Sequence, residues 1–329
     1  MPDLWLYVKA MVSAAAVSAL CVLATVVVRR KTDRSWLNTA CVSGIGFGLA
    51  VGCGVLSLLP VWPPANGLDR FLTVLVPAVL SIELLAGIQR VPLSFLWALR
   101  IGLATAAPLI LLYGSVYLSG FDNDWPLRRT STVMAACSAL LTGVWALLGR
   151  LAQRSPGVSI PFAVCLTTQC AGLTVMMAGY IKGGAAALLL VAVLLATIIA
   201  ARLMARRFGE VAENCTLATL GVGVVSLFGV LFIGRFFGRL STGSALIMLL
   251  APLICWATEL PQLRHRKPWV VGWLRITLVS VPLVFVLVEA KRDFVRDMAP
   301  LLGQGEPATI ELTAQAGDRT AGSGEAAFP

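Results

Sequence analysis

Long apolar runs, separated by short polar or Gly/Pro-rich segments, repeat from one end of the chain to the other. A helix that crosses the hydrocarbon core of a bilayer needs about 20 mostly apolar residues. Ten segments meet this requirement, at residues 7–28, 37–60, 71–88, 98–119, 132–150, 159–181, 183–204, 216–237, 243–260 and 270–290. The pattern therefore predicts an all-α fold, a polytopic transmembrane helical bundle of about ten spanning helices.

The ends of these segments predict how the chain is organised. Very little separates the sixth and seventh segments around Lys182-Gly183-Gly184, which predicts a tight antiparallel hairpin. Residues 1–290 are predicted to form a single transmembrane domain. From 291 the chemistry changes, and residues 303–329 are rich in Gly, Ala, Thr and acidic residues. Because such a composition buries no core, we predict a flexible extramembrane C-terminal tail at 291–329.

Composition agrees with a membrane environment. Hydrophobic residues make up 58% of the chain and charged residues 13%, about half the charged share of an average soluble domain. The net charge of +10 lies in short segments between apolar runs, and no loop is long enough for a basic, nucleic-acid-binding domain. We therefore expect the lipid bilayer as the main partner and no nucleic acid. A second copy of the chain and a membrane complex are further candidate partners.

The basic residues also predict an orientation, because cytoplasmic loops are enriched in Lys and Arg. A basic cluster at residues 29–34 follows the first apolar run instead of preceding it, so this run is not expected to be a cleaved signal peptide. If that flank is cytoplasmic, alternation predicts a multi-pass inner-membrane protein with its N-terminus and C-terminal tail outside. Four arginines on the predicted outer side oppose the rule: Arg128, Arg129, Arg235 and Arg239.

Uncommon residues recur in one order at an offset of 175 to 177 residues. Arg29-Arg30 recurs as Arg206-Arg207, and Gly44-Ile45-Gly46 recurs as Gly221-Val222-Gly223. The other markers are Asn38, Pro77, Glu83, Arg90, Pro92, Trp97 and Arg100, which recur as Asn214, Pro252, Glu259, Arg266, Pro268, Trp273 and Arg275. Several uncommon residues at one offset indicate an internal duplication.

The duplication predicts a plan for the bundle. Repeat one covers 7–119 (helices 1–4), and repeat two covers 183–290 (helices 7–10). A central hairpin at 132–181 (helices 5–6) separates the two repeats. Because the units lie six helices apart, both copies should cross the membrane in the same direction, as parallel repeats of transporters do.

Glu83 and Glu259 are the principal candidates for chemistry, since an ionisable side chain within a spanning helix is costly and often functional. Arginines follow each glutamate, and the predicted charge partners are Arg90, Arg100, Arg266 and Arg275. Two interpretations stay open. Either the pairs are clamps that fix hairpin geometry, or the glutamates face a polar cavity where they bind a cation or relay a proton.

Two further sets of residues stand out. Thr168 and Gln169 belong to a polar triplet within an apolar helix, so they are candidates for binding a substrate or ion, with hydrogen bonding between helices as the alternative. Glycines spaced by four let helices approach closely. The predicted packing glycines are Gly44, Gly48 and Gly52 in the second helix and Gly221 and Gly223 in the eighth.

Three functions fit these observations. The chain has one histidine and no Cys-x-x-Cys spacing, so we expect no metal, no cofactor and no catalytic residue. A transporter or permease for an ion or for a lipophilic or amphipathic solute is the first hypothesis. The alternative is a structural or assembly subunit of a membrane complex, which needs little chemistry. The third is a lipid-acting membrane enzyme, in which the two glutamates would act as acid and base.

Overall fold

A computed structural model describes residues 4–28, 34–88, 91–119, 127–155, 157–208, 213–260 and 268–303. These residues are mostly helical, with no β-strand among them. The helical segments are α1 (Leu4–Val28), α2 (Arg34–Val55), α3 (Gly67–Arg70, Phe71–Leu75 and Val76–Ala86), α4 (Leu93–Leu112), α5 (Leu127–Arg154), α6 (Ser159–Met177), α7 (Ile181–Phe208), α8 (Glu213–Phe236), α9 (Thr242–Leu250 and Ala251–Glu259) and α10 (Pro268–Gly303). A single helical turn, Val116–Ser119, follows α4.

The predicted multi-span helical fold is confirmed. Within the described ranges, nine helices are long and apolar enough to cross a membrane. The remaining predicted span corresponds to α3, which is not one continuous α-helix. It consists of a short α-helix, a π-helical segment over Phe71–Leu75 and a second α-helix from Val76. The order of the segments matches the order predicted from the apolar runs.

Proline accounts for the changes of helix type in α3 and α9. Pro77 lies in the first turn of the Val76–Ala86 helix, and Pro252 lies in the first turn of the 3₁₀ helix Ala251–Glu259. Proline has no backbone N–H, and its ring crowds the carbonyl group four residues earlier. A regular α-helical hydrogen-bond pattern therefore does not continue through either position.

The centre of the bundle is α8. In its apolar stretch, 94% of the residues are buried, and it packs against α2, α3, α5, α6 and α7. A helix that is apolar on all sides is expected in the interior of a bundle. By contrast, 22% of the corresponding residues are buried in α1 and in α10, which lie at the periphery. The helix that carries Glu83 thus packs against α8, whereas the segment Ala251–Glu259, which carries Glu259, packs against α5, α6 and α10.

The glycines of α2 lie against α1. A Cβ atom at Gly44 would lie 2.9 Å from the carbonyl oxygen of Ser18, and one at Gly48 would lie 2.7 Å from the carbonyl oxygen of Ala14. A Cβ atom at Gly52 would lie 2.9 Å from the Cβ of Ala14. These distances are shorter than ordinary van der Waals contacts, so α1 and α2 approach each other closely through this face.

The hairpin between α6 and α7 turns earlier than predicted. α6 ends at Met177 and α7 begins at Ile181, so Lys182-Gly183-Gly184 lies in the first turn of α7. The chain reverses at Gly179, whose φ is +90°, a conformation that glycine adopts without a steric penalty. The predicted separator is therefore helical, and the turn falls just before it.

The last helix continues past its predicted end at residue 290. α10 extends over 36 residues to Gly303, which is about 54 Å at 1.5 Å per residue. The hydrocarbon core of a bilayer is about 30 Å thick, so part of α10 projects beyond it. The first part of the predicted tail is thus helical, and residues 304–329 lie outside the described residues.

Candidate functional site

Glu83 and Arg100 form an ion pair where α3 ends and α4 begins. Nη2 of Arg100 lies 2.9 Å from both Oε1 and Oε2 of Glu83. The Glu83 side chain is 1% exposed and the Arg100 side chain is 14% exposed. The pair connects the end of α3 to the start of α4. Loss of either partner would leave a buried charge without a counter-charge, which is strongly destabilising.

Residues of α2 and α8 surround the Glu83 end of the pair. Gly221 of α8 lies directly against the carboxylate, and a side chain at position 221 would collide with Oε1 of Glu83. Asn38 of α2 donates from Nδ2 to the carbonyl oxygen of Glu83 at 2.8 Å. Gly87 leaves room for the Asn38 amide. Glu83 is therefore positioned by contacts from three other helices.

The guanidinium of Arg100 lies close to two indole rings. Its Cζ atom lies 5.4 Å from the ring centroids of both Trp97 and Trp145, within the range of a cation–π interaction. Trp97 precedes Arg100 by one turn of α4, whereas Trp145 belongs to α5. The Nε atom of Arg100 is buried and has no hydrogen-bond partner among the described residues. Arg100 therefore has a buried N–H group that donates to no described residue.

A cavity of about 120 Å³ adjoins this ion pair, and we call it the Arg100 chamber. Its polar and aromatic lining residues are Asn38, Glu83, Trp97, Arg100, Trp145 and Gln153. They belong to the starts of α2 and α4 and the ends of α3 and α5, and Leu217, Ala218 and Leu220 near the start of α8 also line the cavity. The Arg100 chamber therefore lies at one end of the bundle, which the basic residues predict to be the cytoplasmic end.

Apolar packing closes the Arg100 chamber toward the middle of the bundle. Leu75 and Val79 of α3, Ala104 and Ala107 of α4, and Val225 of α8 are all 0% exposed. These five residues belong to one buried apolar cluster. In the described part of the chain, the Arg100 chamber is thus separated from the opposite end of the bundle by an apolar layer.

Glu259 and Arg275 form a second ion pair, where α9 ends and α10 begins. Nη2 of Arg275 lies 2.9 Å from Oε1 of Glu259, and the two side chains are 3% and 19% exposed respectively. Three hydroxyl groups also accept from this guanidinium. Nε donates to Thr258 at 2.8 Å, Nη1 donates to Ser159 at 3.0 Å and Nη2 donates to Ser155 at 2.8 Å. All three nitrogens of Arg275 therefore have partners, unlike the nitrogens of Arg100.

The C-terminal end of α5 lies between the two ion pairs. Gln153 lines the Arg100 chamber. The next residue, Arg154, lies over the ring of Trp256 in α9, with its Cζ 5.5 Å from the centroid. Ser155 then contacts Arg275. Consecutive residues thus reach both sites, so a displacement of this segment would affect both ion pairs.

The other predicted site residues lie elsewhere. Thr168 is buried on α6, and its hydroxyl donates to the carbonyl oxygen of Val164 in the same helix at 2.8 Å. Gln169 is half-buried, and neither residue lines the Arg100 chamber. Arg90 and Arg266 fall outside the described residues. The structure therefore brings together Glu83 with Arg100 and Glu259 with Arg275, in two separate sites, and leaves ligand binding at any of these residues a prediction.

Several residues of these sites were not singled out as candidates from the sequence. They are Trp145, Gln153, Ser155, Ser159 and Thr258. Four of them lie in α5, in α6 or between these helices, and this region has no counterpart in the predicted duplication. A polar residue at the end of an apolar run is common in membrane helices, so their sequence positions carry little signal.

Comparisons with known proteins do not assign the chain to a group. No protein-family model matches it, and no curated protein or solved structure is significantly similar to it. Within the described ranges, no group of three His, Cys, Asp or Glu side chains could hold a metal ion. The fold and the sites define a multi-pass α-helical membrane protein with two carboxylate–guanidinium pairs, and a function has to be argued from their geometry.

Proposed function

We propose that the protein transports an amphipathic organic anion, which binds in the Arg100 chamber. The observation that carries this proposal is the environment of Arg100. Its guanidinium lies close to Trp97 and Trp145, borders a cavity and has a buried N–H without a partner among the described residues. A guanidinium is well suited to bind carboxylate, sulfonate or phosphate groups. The two indole rings would hold the apolar part of such a ligand.

Glu83 acts in this proposal as an internal competitor of the transported anion. Both of its oxygens lie on a single nitrogen of Arg100, Nη2, so the pair is not the two-nitrogen fork that an arginine can offer. An anion that enters the Arg100 chamber can reach the guanidinium before Glu83 leaves, and the buried guanidinium then always has a counter-charge. Displacement of Glu83 would release the end of α3 from α4.

The apolar layer beyond the Arg100 chamber fits a mechanism of alternating access. In such a mechanism each state of the transporter opens to one side of the membrane. In this proposal, the described structure is the state in which the Arg100 chamber opens at the predicted cytoplasmic end. Opening to the other side requires α3 and α4 to separate where Val79 and Ala107 are buried, and release of the Glu83–Arg100 pair would favour this separation.

We also propose that α1–α4 and α7–α10 are parallel copies of one unit in an inner-membrane protein. The support is that residues at offsets of 176 and 175, Glu83 with Glu259 and Arg100 with Arg275, form ion pairs of the same kind between successive helices. Parallel repeats occur in several transporter folds. With both termini outside, as the basic residues predict, both ion pairs lie near the cytoplasmic surface.

A structural or assembly subunit is the second candidate, and the enclosure of α8 favours it. A bundle whose central helix is apolar and 94% buried needs no moving parts to be stable. In that case both ion pairs are clamps, and the Arg100 chamber holds only water. A second copy of the chain or another membrane protein would then cover an apolar lateral face.

Transport is tested with octanesulfonate as the probe, because a sulfonate stays ionised at neutral pH and does not cross lipid as a neutral acid. Proteoliposomes on a solid-supported membrane should show a saturable charge displacement after a jump in octanesulfonate concentration. Arg100→Gln should abolish this signal. The matched control is Arg296→Gln, which removes an exposed arginine of α10 outside the Arg100 chamber and should keep the apparent affinity within about twofold.

Two results would count against the proposal: no saturable signal from the wild type, or an equal signal from folded Arg100→Gln. If Arg100→Gln does not fold, the double variant Glu83→Gln/Arg100→Gln takes its place, because it buries no unpaired charge. Coupling to protons or cations is tested separately, by flux into pyranine-loaded liposomes. The double variant Glu83→Gln/Glu259→Gln should reduce this flux if the glutamates carry the coupling ion, and an unchanged flux would exclude that role.

A further inference from the structure

A second cleft lies between α5, α8 and α9, at the end of the bundle opposite the Arg100 chamber. Its volume is about 260 Å³, and we call it the lateral cleft. Its apolar walls include Leu140 of α5, Phe228 and Phe232 of α8, and Leu246 of α9. Leu246 is 37% exposed, so the lateral cleft opens sideways, toward the surrounding lipid.

The polar residues of the lateral cleft all lie at one end of it. Arg129 is in the first turn of α5, Arg235 is in the last turn of α8 and Thr242 is the first residue of α9. Nε of Arg235 donates to Oγ1 of Thr242 at 2.7 Å, which holds the guanidinium at the mouth of the cleft. The described residues that line the cleft include two arginines and no acidic residue. Two guanidinium groups therefore lie at this end of the lateral cleft.

The dimensions of the lateral cleft match one leaflet of a bilayer. From Arg129 to Leu140 the helix α5 rises about 16 Å at 1.5 Å per residue, about half of the 30 Å hydrocarbon core. Along α8, Phe228, Phe232 and Phe236 form a row of rings with successive centroids 5.5 and 4.5 Å apart. The cleft thus combines a cationic end at the depth of lipid headgroups with an apolar wall at the depth of acyl chains.

We propose that the lateral cleft binds a phospholipid with a negatively charged headgroup, drawn from the surrounding bilayer. The phosphate lies at Arg129 and Arg235, and one acyl chain lies along the phenylalanine row. This site also explains why these arginines occur on the predicted outer side, where few basic residues are expected. Arg239, on the same side, lies outside the cleft and pairs with Asp297 at 3.7 Å. The proposal does not depend on the transport function.

The headgroup preference is tested in nanodiscs that contain equal amounts of phosphatidylglycerol and phosphatidylcholine. After release of the protein for native mass spectrometry, the wild type should retain phosphatidylglycerol at least tenfold over phosphatidylcholine. The variant Arg129→Gln/Arg235→Gln should lose this preference. Arg239→Gln, which removes one arginine on the same side but outside the lateral cleft, should behave like the wild type.

The position of the lipid is tested with a phosphatidylglycerol that carries a photoactivatable diazirine in its acyl chain. Cross-links in the wild type should map to residues 133–140 and 228–232. Leu246→Trp fills the lateral cleft without changing its charge and should reduce these cross-links at least fivefold. If the double arginine variant does not fold, this substitution tests whether the lipid binds in the lateral cleft. Equal retention of both lipids by the wild type, or cross-links spread over the whole bundle surface, would overturn the proposal.

Discussion

Gly221 lies directly against the Glu83 carboxylate, so that α8 meets α3 at the buried ion pair without an intervening side chain. The absence of a Cβ atom at this position leaves the space that Oε1 occupies while Glu83 stays bonded to Arg100. A packing glycine of the central helix is therefore also part of the candidate functional site. This contact links the central helix of the bundle to the hairpin that carries the first charge pair.

A methyl group at position 221 should break this arrangement. Glu83 cannot move away without leaving Arg100, so Gly221→Ala should lower the free energy of unfolding by about 1–3 kcal/mol, the usual effect of overpacking. Titration with SDS, followed by circular dichroism, measures the change. Gly143→Ala is the matched control, because no heavy atom lies within 4 Å of its added Cβ. Equal stability of the two variants would show that α8 tolerates a side chain at the ion pair.

The Glu83–Arg100 pair should show strong energetic coupling. Glu83→Gln and Arg100→Gln should each lower the free energy of unfolding by about 3–5 kcal/mol, since each leaves a buried charge unpaired. The double variant should lose less than the sum of the two. The Arg239–Asp297 pair provides the control cycle, because its side chains are 84% and 59% exposed and such pairs couple by less than about 1 kcal/mol. Similar coupling in both cycles would contradict the burial argument.

Arg275 should not be replaceable by lysine. An ammonium group is a compact point charge and cannot reproduce the planar arrangement in which the guanidinium serves Thr258, Ser159, Ser155 and Glu259. Arg275→Lys should lower the free energy of unfolding by about 2 kcal/mol or more. Arg296→Lys, at an exposed position of α10, should have little effect. The interpretation fails if both substitutions change stability equally.

The number of spans decides on which side of the membrane the termini lie. If α3 spans the membrane together with the nine helices that are long and apolar enough to do so, the two termini lie on the same side. Alkaline phosphatase fused after Gly303 should then be active, and a tag before Leu4 should be accessible to protease added outside. Green fluorescent protein fused after Gly303 should stay dark. A fluorescent fusion combined with an accessible N-terminal tag would mean an odd number of spans.

The two ion pairs illustrate how far the sequence alone could predict the site. Each pair joins residues 16 or 17 positions apart on successive helices, and a charge within an apolar run needs a partner close to its own depth. The sequence predicted Arg90, Arg100, Arg266 and Arg275 as charge partners without choosing among them, and the structure shows the pairs with Arg100 and Arg275. The contacts of Trp145 with Arg100 and of Ser155 with Arg275 join distant segments, and no local pattern indicated them.

The differences at the ends of helices have local causes that hydropathy does not contain. The hairpin between α6 and α7 turns at Gly179, which has a positive φ, and not at Gly183-Gly184. Gly183 and Gly184 lie in the first turn of α7, because glycine can adopt a helical conformation as well as a turn conformation. α10 continues past residue 290 through Lys291 and Arg292, which are good helix formers in water. Apolar runs mark the part of a helix that lies in lipid, not its ends.

The sequence by itself determined the helical class, the order of the spans and the charged positions within them. These properties follow from the thickness and the low polarity of the bilayer, which act on each segment separately. Only the tertiary structure decided that α8 is central, that Gly221 faces Glu83 and that α5, α8 and α9 enclose the lateral cleft. In lipid, an apolar side chain is equally stable against a neighbouring helix and against an acyl chain, so hydropathy does not indicate which faces meet. Close packing of small residues and the pairing of buried charges make that choice, and both depend on residues far apart in the chain.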